Sequence, residues 1–295
     1  MLIRTNSIVN DLVGFGQSNG TFGELLQGVT TNNKNFLVTL PISLSSETKF
    51  TSINDFSEII TFPSTKIKAS KLATKILRKY NFSGGGILDI KSNIPVGKGL
   101  ASSSADLVAT ARAISNTFNI ELSNLEIQSL LKDIEPSDGV MYDGIVSFQQ
   151  KECKLIKKIG ATPKLTIIAI DEGGHVDTVK YNNYNPPFYN ELEKLEYDCL
   201  LEVLTKGIQN EDLEVIGKVA TKSAILNQKF NHKDHLEEVL YICNKAGGLG
   251  VVIAHSGTYS GILLSQECEY YKRKLDYVYH KLKSLKKGIR IFYTI

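Results

Sequence analysis

The stretch from Ile94 to Ile114 constrains this chain more than any other, because it reads as strand end, glycine loop and helix start in immediate succession. Gly84 to Lys91 suits a β segment, with Ile87, Asp89 and Lys91 alternating against Leu88 and Ile90. Pro95 stops that strand, and Gly97 and Gly99 let the backbone turn tightly and come close to a ligand. Ser102, Ser103 and Ser104 then open a helix in which Leu107, Ala111 and Ile114 recur at helical spacing. A helix start presents unpaired N–H groups and the positive end of the macrodipole, and after a glycine loop it is a site for phosphate. The serine hydroxyls add donors to phosphate oxygens or a ligand to Mg²⁺. The same residues also suit a plain turn with an N-cap. The loop is not a Walker A sequence, since Lys98 sits between the glycines and lacks a Ser or Thr in the required place.

At 295 residues the chain can form one large domain or two lobes. Its 42% hydrophobic and 22% charged residues are ordinary for a globular protein. A net charge of +3, with the charges interspersed, is too weakly basic to suggest nucleic acid as main partner. The densest basic run, Lys281 to Arg290, reads as the solvated face of a helix. The four cysteines show no CxxC spacing, so neither a zinc site nor a disulfide framework is expected, and reduced thiols point to the cytoplasm. The amino terminus lacks a secretory pattern, and no stretch reaches the roughly 18 apolar residues of a membrane span. The expected partner is a small molecule, with no nucleic acid and no membrane; a homodimer is possible.

Two further loops share the glycine-rich character. Asp11 to Gly28 crowds Gly14, Gly16, Gly20, Gly23 and Gly28 around Glu24; on glycine count it reads as a loop between strands, and functionally as a second pocket wall. Ala246 to Leu264 reads as helix end, strand, glycine turn and strand, with His255, Ser256, Gly257 and Thr258 in the turn. Glu135 to Gly144 combines Pro, Ser, Asp and Gly, a turn signal, with Glu135, Asp138 and Asp143. A kinase acting on a hydroxyl needs a carboxylate to orient it, accept its proton or hold Mg²⁺.

Pro95-x-x-x-Gly99-Leu100-x-Ser102-Ser103 resembles the phosphate-loop signature of the GHMP kinases. Thr21 to Gly28 looks like the first motif of that family's bacterial L-threonine kinase branch, from the cobalamin pathway. The Glu-Pro-x-Asp-Gly and Ala-His-Ser-Gly-Thr runs resemble the same branch. Ser104 stands where the family often has Ala.

The resemblance implies an α+β fold with an N-terminal ATP-binding lobe (1–160), like the second domain of ribosomal protein S5, and a ferredoxin-like C-terminal lobe (161–295). It implies ATP and Mg²⁺, with Pro95, Val96, Gly97, Lys98, Gly99, Leu100, Ala101, Ser102, Ser103 and Ser104 around the nucleotide. Ser103 and Glu135 are then the metal candidates, and Asp138, Asp143 and Lys98 the catalytic ones. Gly23, Glu24, Gln27, Ser256, Gly257 and Thr258 are the substrate-binding candidates. The implied reaction is transfer of the γ-phosphate to an amino-acid hydroxyl, L-threonine first. The alternatives are homoserine or another small alcohol, and a catalytically silent nucleotide- or metabolite-binding homologue. An S5-like RNA-binding module would need a stronger basic stripe.

For the remaining chain, Asn35 to Ser52 is expected to hold two strands broken at Pro41. Thr65 to Tyr80 is an expected helix with Ile67, Leu72, Ile76 and Leu77 inward and its lysines outward. A second helix over Glu121 to Ile134 would bury Leu125, Ile127, Leu130, Leu131 and Ile134. A hairpin at 144–159 and a strand at 164–170 follow. Helices at 188–206, 211–230, 236–245 and 267–285 and a last strand at 288–295 complete the reading.

Overall fold

The computed structural model describes residues 11–173, 188–285 and 288–295. The turn around His175, the Pro186-Pro187 helix entry and the first ten residues lie outside them. The described residues form ten strands and seven helices in an α+β arrangement. The strands are β1 (Val13–Val29), β2 (Asn35–Ile53), β3 (Ile59–Phe62), β4 (Gly85–Ser92), β5 (Ile145–Gln149), β6 (Lys154–Gly160), β7 (Leu165–Asp171), β8 (Gly250–Ile253), β9 (Tyr259–Ser265) and β10 (Ile289–Tyr293). The helices are α1 (Ile67–Lys79), α2 (Ser102–Phe118), α3 (Asn124–Lys132), α4 (Glu191–Gln209), α5 (Leu213–Asn227), α6 (Leu236–Ala246) and α7 (Tyr271–Leu285).

One sheet runs through the molecule in the order β10-β7-β9-β8-β1-β2-β4-β3, and β5 and β6 form a hairpin beside β2. The two sets of strands join where Glu24 of β1 pairs with Ile253 of β8. Three hydrophobic clusters follow this layout. One lies under α1, α2 and α3, and another under α6 and α7. The central cluster takes Phe22 and Leu25 from β1, Leu100 from the glycine loop, Leu165 from β7 and Phe292 from β10, so it crosses the expected division at 160/161.

Two expectations about strands are corrected. Asp11 to Gly28 is no loop: Val13–Val29 is one strand, with register shifts at Asn19/Thr21, Thr21/Glu24 and Glu24/Leu26. Its glycines serve close approach, since a Cβ at Gly16 would sit 2.2 Å from the Ala109 carbonyl oxygen of α2. Only Gly23 needs the left-handed region, at φ +50°. Likewise Asn35–Ile53 continues through Pro41, which sits opposite Thr21 within the irregular part of the β1 ladder. A proline is tolerated at such a bulge because the ladder there is already interrupted.

Helix positions follow the sequence periodicity, but two apolar residues do not. Ile67 is 61% exposed and Leu125 65% exposed, both in the first turn of their helices, where no neighbour covers them. Among the described residues, three helices lie between β7 and β8, the last of them α6.

Candidate active site

A cavity of about 560 Å³ opens where the glycine loop, the starts of α1 and α2, the 135–138 turn and the 255–256 turn converge. Gly97 (φ +70°) and Gly99 (φ +73°) shape the loop, and Ala101 enters α2 in the left-handed region at φ 57°. No side chain caps α2. Its first-turn N–H groups therefore lack intrahelical partners and face the cavity mouth with the macrodipole behind them. Ser102 Oγ is buried with no hydrogen-bond partner among the described residues. An uncapped helix start with an orphan hydroxyl fits phosphate oxygens.

Carboxylates form the opposite wall. Ser103 Oγ donates to Glu135, whose other oxygen pairs with the Lys68 ammonium. Asp138 is held by its backbone N–H to Ser104 Oγ at 3.1 Å and by Gln150 Nε2 to Oδ1 at 3.3 Å. Burial, and then the Glu135 charge, push the Asp138 carboxyl up to about 6. Glu24 is 3% exposed, and one of its oxygens has no partner among the described residues. Burial, and then Asp138, raise its pKa well above the usual carboxylate value. Ser103 and Glu135 are hard oxygen donors beside the uncapped start of α2, a set that fits Mg²⁺ carried with a nucleotide. Among the described residues no group of three His, Cys, Asp or Glu is arranged to hold a metal by itself.

The third glycine turn closes the other side. Gly257 packs on the glycine loop, and Ser256 and His255 line the cavity. His255 Nδ1 hydrogen-bonds Gln27 Oε1, and burial lowers the imidazole to about 4, so it is neutral at pH 7. Gln27 itself lies behind His255, and Thr258 Oγ1 is turned away to Asp171 at 2.5 Å. Gly23 supplies the bend that brings β1 against Ile253.

Two catalytic candidates stand elsewhere. The Lys98 side chain leaves the cavity for Asp171, 2.8 Å away at the end of β7, because that half-buried carboxylate lies on the far side of the loop. The Lys98 main chain still helps form the loop. Asp143 lines a second cavity with Arg112 and Lys158, since the 139–144 turn carries it past Asp138.

Sequence reasoning missed Lys66 and Lys68, which it placed on a solvated face. Lys66 pairs with Asp106, which also accepts from Ser46 Oγ at 2.6 Å, and both lysines line the cavity. A signal existed: α1 has no acidic residue in its first turn and two lysines at its start. Cations there oppose the macrodipole, so something else must hold them.

Comparison with known proteins bears on the family and the fold. Residues 67–145, from α1 to the start of β5, match the GHMP kinases N terminal domain. An L-threonine kinase of Citrobacter freundii is 24% identical over 258 residues, covering 87% of this chain and 86% of the relative. A 4-diphosphocytidyl-2-C-methyl-D-erythritol kinase of Clostridium novyi is 27% identical over 238 residues, covering 72% and 75%. The crystal structure of a homoserine kinase from Cytophaga hutchinsonii superposes with a TM-score of 0.75 at 15% identity, covering 96% of this chain and 95% of that one. The fold is thus the two-lobed α+β fold of these kinases.

Proposed function

We propose, from the premise that this chain belongs to the GHMP kinase superfamily, that it transfers the γ-phosphate of ATP to the hydroxyl of an amino acid, L-threonine first. The loop over 95–101 and the start of α2 would hold the phosphates through backbone N–H groups and Ser102 Oγ. Ser103 and Glu135 would hold the magnesium ion, which supplies charge neutralisation at the phosphate oxygens when bound. Glu135, which contacts Ser103 and Lys68, would offer its carboxylate oxygens to that ion. Phosphoryl transfer asks for positioning and charge compensation more than covalent help. Asp138, ionised at pH 7 yet shielded from water, would orient the acceptor hydroxyl and take its proton. The division into an ATP-binding lobe (1–160) and a second lobe (161–295) belongs to the same reading.

The observation that carries the choice of acceptor is Glu24. Glu24 has a buried carboxyl oxygen without a partner among the described residues, and burial together with Asp138 disfavours its ionised form until a cation arrives. The ammonium group of an amino acid is such a cation, and it would leave the hydroxyl beside Asp138. Mevalonate and galactose bring no ammonium. Homoserine does, and is the second reading. The L-threonine kinase relative favours threonine.

The test is ADP release from Mg-ATP in the presence of L-threonine, L-serine, L-homoserine, mevalonate or galactose. A response to L-threonine that is lost in Asp138→Ala supports the proposal. A response to mevalonate or galactose alone removes the amino-acid reading. ATP binding with no turnover on any hydroxyl compound favours a silent homologue.

A further inference from the structure

We infer that Asn231 and Lys233 are positioning residues that aim the N–H groups of the Ser256–Thr258 turn at the phosphate loop; the inference rests on the nucleotide-binding reading above. Neither residue lines the cavity. Both act on the main chain of the turn from behind. Asn231 Nδ2 donates to the His255 carbonyl at 2.9 Å and to the Gly257 carbonyl at 3.3 Å. Lys233 Nζ donates to the same Gly257 carbonyl at 2.5 Å. The Thr258 carbonyl accepts from the Glu172 N–H at 2.8 Å. The carbonyls of His255, Gly257 and Thr258 are thus committed to the protein. Among the described residues, no main-chain carbonyl accepts from the N–H groups of Ser256, Gly257 or Thr258.

The Gly257 main chain meets the glycine loop. A Cβ at Gly99 would come within 2.7 Å of the Gly257 nitrogen, so the two main chains touch. Unpaired amides beside an uncapped helix start extend one electropositive backbone surface, to which phosphate oxygens are complementary.

Lys233 is an expensive way to brace a turn. It is 2% exposed, and burial lowers its pKa to about 8 against the attraction of Glu172 and Asp171. An apolar side chain would fill that space without removing an ammonium from water. Gln228 fixes the lysine in place, accepting its backbone N–H at 2.7 Å and donating to its carbonyl at 3.1 Å. The lysine head is therefore delivered to one carbonyl, with Asn231 beside it.

The experiment compares wild type, Lys233→Met and Asn231→Asp in three measurements: equilibrium binding of a fluorescent ATP analogue, KM for ATP and for the amino acid, and the thermal unfolding midpoint. In both variants the dissociation constant and KM for ATP should rise by roughly tenfold or more, the scale of a lost charge-assisted hydrogen bond for Lys233→Met and of an acceptor set against two carbonyls for Asn231→Asp. The KM for the amino acid should stay within about twofold of wild type, because Glu24 and Asp138 are untouched, whereas general loosening would raise both. Folded variants that bind the analogue like wild type overturn the inference and leave the kinase reading standing. Wild type that binds no nucleotide overturns both. Should Lys233→Met fail to fold, Asn231→Asp decides alone, because it keeps the shape and removes the donor.

Discussion

Gly257 and Gly99 lie in contact, main chain against main chain. A Cβ at Gly257 would stand 1.8 Å from the Lys98 carbonyl oxygen, and one at Gly99 would stand 2.7 Å from the Gly257 nitrogen. Two loops more than 150 residues apart thus form one wall of the cavity, and Asp171 fastens them by binding both Lys98 and Thr258. Gly257→Ala should force the loops apart and lower kcat/KM by about 10²-fold, the scale expected for roughly 1 Å of misplacement. Steady-state kinetics with saturating acceptor would check it; a change below about threefold would mean that the contact has no part in the reaction.

Asp138 should trade stability for activity. Its folded pKa of about 6 lies above the ordinary 3.8, so between those values the folded state binds more protons than the unfolded state. Stability contributed by this group therefore falls as pH rises through that window. Asp138→Asn should raise the unfolding midpoint at pH 7, by at most about 3 kcal/mol of stability, and lower kcat by roughly 10²–10⁴-fold. The wild-type kcat/KM should climb to a plateau above about pH 6. Wild-type turnover in the variant would exclude Asp138 from the chemistry.

Glu24→Gln keeps the shape of the β1 junction and removes the carboxyl group that would pair with an ammonium. The KM for L-threonine should rise by roughly 10- to 100-fold, the scale of a charge-assisted hydrogen bond, with KM for ATP little changed. 3-Hydroxybutyrate, which has the hydroxyl and the carboxylate but no ammonium, should be a poor acceptor for wild type. Equal use of both acceptors would show that Glu24 does not read the amino group.

Ser103 and Glu135 should share one function. Glu135→Gln should raise the magnesium concentration for half-maximal rate by on the order of tenfold or more. Ser103→Ala should act in the same direction, and the double variant should be much less than additive because the two groups touch. Additive effects in a magnesium titration would assign them to separate sites.

The glycine loop at 95–101 was legible because its information is local. Gly97, Gly99 and the serines at 102–104 dictate a turn into a helix wherever they occur, and the apolar spacing of α2 sets the direction of its buried face. Asp138 could be nominated as a carboxylate in a turn, while its separation from Asp143 depends on the course of residues 139–144 in three dimensions. The glycines of β1 were misread as a loop because sequence cannot tell a flexible glycine from one pressed against a helix, as Gly16 is against Ala109.

Lys66, Lys68, Asn231 and Lys233 show the larger limit. Each carries a side chain that is ordinary on a surface, and each finds its partner across the fold, in Asp106, Glu135 or the Gly257 carbonyl. By itself the sequence determined most of the helices and strands and the three glycine-rich segments, since those depend on backbone freedom and on the period of apolar residues. The tertiary structure alone decided which charges meet and which carboxylates lose their water, because burial and long-range electrostatics depend on distances that chain order does not contain.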